Sequence, residues 1–369
     1  MSATRTPPPS APAPGGRRAA LLGVAARLAR TAVTPLLPAD YLDMVAPLRA
    51  GAELRGRVLS VTAETPDAAT VHIRPGRDWA GHVPGQYVRL GVDVEGVRHW
   101  RPYSLTSPPA TADGSISVTV KAVPGGVVSN HLVRSLAPGT LLQLGQAAGD
   151  FVLGAHRGPV LFVTAGSGIT PVMGMLRSHL HELDDVVLVH SAPTGADVVF
   201  GAELRRLHAR GRLRLVERHT SRQGVLAPAD LDELVPDRRE RQTWACGPTA
   251  MLDAHEAHWA ATTPPGRLHT ERFRPAVLAA GEGGTLTFTR SGALVATDGA
   301  TTVLDAGEAA GVLMPSGCRM GICFRCVAPL RSGAVRDLRN GEITTAVPED
   351  GIRIQTCVSA AAGPCDIDL

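Results

Sequence analysis

Lysine is almost absent from this 369-residue chain: Lys121 is the only one, and arginine supplies the other fixed positive charges. That bias, with aromatics at only 4%, reads as genomic base composition and not as a functional patch. The 37 basic residues are nearly balanced by 34 acidic ones, for a formal charge of +3, which excludes wholesale nucleic-acid binding. No apolar run is long enough to cross a bilayer. The nearest candidate, residues 17–37, is short and is broken by Arg27 and Arg30. Arg17 and Arg18 precede that run like a twin-arginine signal, but no A-x-A cleavage site follows it. Cysteine is also sparse, with six residues, and their placement argues against a disulfide framework: four form one pattern, while Cys246 and Cys365 are isolated. A reducing, cytoplasmic compartment is expected.

The four patterned cysteines are Cys318, Cys323, Cys326 and Cys357. Their spacing, C-x4-C-x2-C with a distant fourth, is the plant-type ligand pattern for a [2Fe–2S] cluster. Ser316, Gly317 and Gly321 keep the loop small, so that backbone N–H groups can approach the sulfurs, and Arg319 adds positive charge nearby. A structural zinc site is the rival reading, but zinc sites usually repeat a short knuckle twice. Core filling explains three thiols within nine residues poorly.

The chain divides by texture. Residues 1–50 comprise a Pro/Ala/Ser/Thr-rich start, expected to be disordered, and a basic amphipathic helix over residues 17–37. That helix either docks on the protein's own surface or lies on an anionic membrane. Residues 51–155 carry short β-type runs at 54–62, 70–74, 86–92, 115–120 and 141–144, the pattern of a small antiparallel barrel. Residues 156–275 alternate strand and helix, with strands over 160–164 and 185–190 and a helix over 172–183, as in a parallel α/β sheet. Residues 276–284 read as a Gly-rich linker, and 285–369 as a β-rich unit around the cysteines.

Two motifs mark the barrel. Arg101-Pro102-Tyr103-Ser104, with Thr106 just beyond, combines a guanidinium, an aromatic face and short hydroxyl donors, as a flavin's phosphate and ring require. Gly125-Gly126-Val127-Val128-Ser129 follows the strand holding Lys121. Two more mark the α/β unit. Gly166-Ser167-Gly168-Ile169-Thr170-Pro171 lies between a strand and a helix, where glycines and a helix N-terminus favour a pyrophosphate. Pro171 stands where a third glycine would be, and it suits a first helical turn. Cys246-Gly247-Pro248 follows a second expected strand, and Cys246 on its own could equally be a small buried hydrophobe.

In this order, the four motifs resemble those of the ferredoxin–NADP reductase superfamily, and the cysteine pattern resembles the ferredoxin domain of its one-chain reductases. The resemblance covers residues 50–369 and implies a multidomain α/β plus β protein. Its parts would be an antiparallel flavin-binding β-barrel, a parallel α/β nicotinamide-binding domain and a C-terminal β-grasp ferredoxin domain. By that resemblance Arg101, Pro102, Tyr103, Ser104, Thr106 and Lys121 serve the flavin, and Gly125, Gly126, Val127 and Ser129 its phosphates. Gly166, Ser167, Gly168, Thr170 and Pro171 hold the nicotinamide cofactor, with Cys246, Gly247 and Pro248 beside its ring. Tyr103, Ser104 and Cys246 are then the candidates for the catalytic centre. Phe273 is placed like the family aromatic that shields the flavin, and an ordinary linker anchor is the alternative.

The expected route runs from NADPH to FAD to the [2Fe–2S] cluster to an external acceptor, because a flavin converts two-electron into one-electron traffic. FMN and NADH are the lesser alternatives. The second parallel strand ends at His190-Ser191 without an acidic residue for a ribose hydroxyl, whereas Ser191 and Arg222 could receive a 2′-phosphate. Residues 35–42 resemble the lead-in of actinobacterial reductases that feed membrane fatty acyl-CoA desaturases, which would give the basic helix a peripheral membrane role. A reductase for a soluble Rieske-type oxygenase or another hydroxylase is the second reading, and an electron-relay subunit without nicotinamide turnover the third.

Overall fold

The computed structural model describes residues 38–94, 96–273, 281–317, 319–321 and 324–369. The helix expected over residues 17–37 and two of the four patterned cysteines, Cys318 and Cys323, lie outside the described residues. A short helix, Pro38–Val45, precedes the first strand.

Six antiparallel strands follow: β1 (Arg55–Thr65), β2 (Ala68–Pro75), β3 (Tyr87–Val94), β4 (Val97–Ser104), β5 (Ile116–Lys121) and β6 (Leu141–Leu144), in the order β4-β3-β6-β1-β2-β5. A bridge between Leu105 and Val118 brings the end of β4 to β5 and closes the sheet into a barrel. Inward-facing Val71, Ile73, Val88, Leu90 and Val118 fill it, and Val128 and Leu132 from the helix Val127–Arg134 join that core.

The second unit is a five-stranded parallel sheet. Its strands are β7 (Val160–Ala165), β8 (Val186–Ala192), β9 (Arg214–His219), β10 (Gln242–Cys246) and β11 (Leu268–Glu271), in the order β11-β10-β7-β8-β9. β8 is buried at every position and β7 at all but the last, as expected of strands covered on both faces. The chain proceeds from β7 outward to β9 and returns on the other side as β10. The ends of β7 and β10 therefore flank the topological switch point, where open α/β sheets take ligands.

The helix expected over 172–183 begins earlier. Residues Gly166–Gly168 form a 3-10 turn that runs straight into the helix Ile169–His179, and a second 3-10 turn covers Leu180–Glu182. Pro171 is tolerated because first-turn N–H groups have no intrahelical partner.

The last unit is a mixed sheet of β12 (Gly281–Phe288), β13 (Ala293–Gly299), β14 (Val327–Asp337), β15 (Ile343–Ala346) and β17 (Ser359–Ile367), ordered β13-β12-β17-β14-β15, with β16 (Arg353–Gln355) paired to β14. The helix Val303–Ala309 packs into the same core. The linker expected over 276–284 needs correction, because its last four residues open β12. Their glycines serve a register shift against β13: Gly283 has φ +80°, and Gly284 lies too close to the Gly363 backbone for any Cβ.

Candidate functional site

β3 and β4 pair in register, Tyr87 with Ser104, Val88 with Tyr103 and Leu90 with Arg101. Ser104 is buried, and its Oγ has no hydrogen-bond partner. A buried hydroxyl without a partner costs on the order of 1–3 kcal/mol, so Ser104 is free to bond a bound group. Burial raises the Tyr103 phenol well above its ordinary value, so it remains a neutral donor beside Arg101. Arg101 donates from Nη1 to the Trp100 carbonyl at 2.9 Å, and its Nη2 lies 3.8 Å from Glu308 of the cysteine-bearing unit.

The glycine pair forms a turn in which the Gly126 N–H donates to the Val123 carbonyl at 3.0 Å. Gly125 has φ +70°, and Gly126 caps the helix Val127–Arg134 in extended conformation without a side-chain cap. A Cβ on Gly126 would meet Ser129 Oγ and Val123 Cγ2 at 2.5 Å, so only glycine closes this turn. Ser129 Oγ accepts from the Val123 N–H at 3.2 Å, which holds the turn, and Val127 is exposed at the helix start. These residues fit a phosphate.

Two residues of the flavin set have internal partners. Lys121 Nζ donates to both Asp67 oxygens at 2.6 Å, tying β5 to the β1–β2 turn. Thr106 Oγ1 is fully buried and shares a hydrogen bond of 2.8 Å with Ser117 Oγ. Each of these polar groups is thus paired within the barrel.

At the switch point, Gly166 has φ +53°, and the Thr170 hydroxyl donates to the Ser167 carbonyl at 2.9 Å. Gly168 is pressed against the Cys246 carbonyl and Gly247, leaving no room for a Cβ. Gly247 is likewise boxed in by Met251 and Ala165, and Pro248 caps the helix Thr249–Thr262. The two expected nicotinamide motifs thus form one surface. The helix that follows Gly168 also grips the barrel, since Gly174 packs directly on the Leu105 carbonyl and Arg177 Nη1 donates to the Thr106 carbonyl at 2.9 Å. A single helix therefore joins the strand bearing Tyr103 and Ser104 to the loop bearing Gly166 and Gly168.

Cys246 is fully buried, and burial, then the nearby Glu271, pushes its thiol well up. Such burial favours the neutral thiol over the nucleophilic thiolate. Glu271 was not foreseen from the sequence. It pairs with Cys246 across β10 and β11, its Oε2 is shut from solvent without a partner, and burial, then Asp150, raises its carboxyl to about 8. Phe273, two residues on, is partly exposed.

At the ends of β8 and β9, Ser191 lies opposite Arg218, and its buried Oγ has no partner. Ser221 donates to the Pro193 carbonyl at 2.7 Å, drawing the Arg222-bearing turn, residues Thr220–Gln223, to the end of β8. Arg222 itself is exposed.

Of the cysteines, Cys326 and Cys357 are buried with sulfurs 3.2 Å apart, and the hydrogen bond between them brings the Cys326 thiol down to about 6. Arg319 and Phe324 hold left-handed φ values of 60° and 54°, rare for side-chain-bearing residues, and Gly321 is at 74°. Such a backbone can turn successive N–H groups inward onto an anionic centre. A Cys326 thiol that ionises readily, beside the buried Cys357, suits an iron–sulfur cluster. Cys365 is a core residue of β17, opposite Leu286 and Gly333, and burial raises its thiol to about 11.

Family profiles match the three units in turn: an oxidoreductase FAD-binding domain over residues 57–152, an oxidoreductase NAD-binding domain over 162–257 and a 2Fe-2S iron-sulfur cluster binding domain over 288–362. The chain is 51% identical to an NADPH oxidoreductase of Mycobacterium tuberculosis, over 95% of this chain and 92% of that protein. It is 32% identical to the glycine betaine monooxygenase reductase subunit of Chromohalobacter salexigens, over 74% and 84%. Among solved structures, phthalate dioxygenase reductase superposes with a TM-score of 0.59 over 85% of this chain and 97% of its own, at 23% identity, a likeness of fold.

Proposed function

Because this chain belongs to the ferredoxin–NADP reductase-type oxidoreductases that carry a C-terminal [2Fe–2S] domain and use FAD and NAD(P)H, we propose that it draws electrons from NADPH and passes them singly to an oxygenase-class partner. The observation that carries this reading is the helix Ile169–His179, which fixes the Gly166–Gly168 loop against the strand of Tyr103 and Ser104. Bound FAD would supply the conversion of a hydride into single electrons, and a bound cluster their exit.

The chain's own residues bind and orient. Ser104 Oγ offers the flavin ring a hydrogen bond that it makes nowhere else, and Arg101 and the Gly125–Gly126 turn take phosphate charge. Gly168 and Cys246 would form a floor of close-packed backbone for the nicotinamide cofactor. Glu271, neutral below about pH 8, adds no negative charge beside a hydride donor. Ser191 and Arg222 favour NADPH, and the relative named an NADPH oxidoreductase agrees. That relative also argues against a relay subunit without nicotinamide turnover.

For the acceptor, a membrane fatty acyl-CoA desaturase is the finer proposal. Support comes from the lead-in over 35–42 and from the helix Pro38–Val45, where Leu42, Met44 and Val45 are exposed at 56%, 66% and 86% immediately after a basic stretch. Such a surface suits a membrane-bound partner. A soluble oxygenase is the second reading, favoured by the monooxygenase reductase relatives.

Anaerobic NADPH added to the purified holoprotein should bleach the flavin and cluster bands without any other protein, and faster than NADH does. Electron flow to desaturase-containing membranes should then fall on deletion of residues 1–37 while flow to a soluble oxygenase does not. Absence of bleaching would overturn the reductase reading, and indifference to the deletion would leave only the soluble partner.

A further inference from the structure

The cysteine-bearing unit meets the flavin strand through one shared carboxylate. Glu308, on the helix Val303–Ala309, lies 3.8 Å from Arg101 Nη2 across the two units and is also ion-paired to Arg319 of the cluster loop. All three side chains are about three-quarters buried or more, so solvent and salt screen them less than an ordinary surface pair. Asp305, one helical turn earlier, holds Arg319 at 2.8 Å and is not paired to Arg101. Arg319 is the residue with φ 60° beside the first patterned cysteine, and such a backbone persists only where its surroundings hold it. The bond from Glu308 to Arg319 is therefore part of the loop's own construction, whereas the bond to Arg101 reaches a different unit. His99, on the same strand as Arg101, faces this cluster of charges.

We propose that Glu308 is a positioning residue: its carboxylate, shared between Arg101 and Arg319, docks the cluster-bearing unit on the flavin strand in the arrangement through which electrons cross. The inference rests on the reading of the chain as an NADPH–flavin–cluster reductase. Electron transfer weakens steeply with distance, so a contact that favours the docked arrangement by a modest free energy sets the observed rate through its population. Arg101 is also the cation of the flavin motif, which places docking and flavin seating on one guanidinium.

The test uses the full-length holoprotein with matched iron, sulfide and FAD content. Electrons are placed on the flavin by a light pulse with a photoreductant, and arrival at the cluster is followed by its absorbance. Glu308→Gln, isosteric and uncharged, is expected to slow arrival about three- to ten-fold, the effect of a partly buried ion pair of about 1 kcal/mol. It should also flatten the salt dependence of the rate. Reduction of the flavin by NADPH should be unchanged, and Asp305→Asn should keep the wild-type arrival rate. Wild-type kinetics in Glu308→Gln overturn the proposal, as does an equal slowing in Asp305→Asn, which would trace the effect to the cluster loop alone. If Glu308→Gln does not retain its cluster, Glu308→Asp carries the same decision: slower arrival supports the proposal and an unchanged rate overturns it. Because light replaces the donor, failure of NADPH to reduce the flavin sinks the functional reading without deciding this one.

Discussion

Cys246 and Glu271 face each other across the parallel strands β10 and β11, a thiol and a carboxyl that are both held in their protonated forms by burial. The pair sits at the end of the sheet where Gly168 comes down on the Cys246 carbonyl. Glu271 keeps its proton up to about pH 8, against an ordinary value of 4.5. Between those values the unfolded chain releases its proton while the folded chain retains it, so the stability of the wild type falls as pH rises through that window. Glu271→Gln removes this loss. The melting temperatures of variant and wild type should coincide near pH 4 and diverge in the variant's favour by several degrees at pH 8. A difference that does not vary with pH would contradict the assignment.

Ser104→Ala should have opposite effects on the two forms of the protein. Without FAD, the variant loses a buried hydroxyl that has no partner and should melt slightly higher than wild type. With FAD, it loses a hydrogen bond to the ring, and flavin reduction by NADPH should slow about 10- to 100-fold. Comparing melting of apoprotein and holoprotein with stopped-flow flavin bleaching checks both halves.

Gly168→Ala places a methyl group against the backbone of Cys246 and Gly247, neither of which can withdraw as a flexible side chain would. Overpacking of this kind costs about 1–3 kcal/mol, and here it falls on the proposed nicotinamide site. The KM for NADPH should rise at least tenfold while FAD content, measured by its absorbance after purification, stays at the wild-type level.

Cys357→Ser should remove the iron–sulfur absorbance and leave a yellow protein whose flavin is still reduced by NADPH. Cys357 lies in a different unit from the Gly168 and Ser104 surfaces, in the core formed by β12, β14 and β17. Loss of flavin along with iron would mean that the units are not separable.

Much of this architecture was legible in the chain because it depends on short spacings. Gly166, Gly168 and Gly126 are local signals, and each lies where a turn demands it. The internal partners of Lys121 and Thr106 were not legible, because residue type states what a side chain can bond to, not which partner reaches it; Asp67 and Ser117 do. Glycine misled in β12, where Gly283 and Gly284 permit a close strand contact instead of flexibility. Glu271 and Glu308 went unrecognised for a deeper reason: their neighbours Cys246 and Arg101 are distant in sequence and meet them only once sheets and units have assembled.

β17, the last described strand to be synthesised, is the central strand of its sheet, inserted between β12 and β14. During translation, therefore, the earlier strands of this unit emerge from the ribosome without the partner that joins them. Cys357 emerges only just before that strand, so the sulfur pair with Cys326 cannot close until the intervening strands β14, β15 and β16 have been made. Metal loading therefore waits for Cys357 and until then competes with aggregation and thiol oxidation, so expression conditions that slow growth and supply iron should raise the fraction of holoprotein.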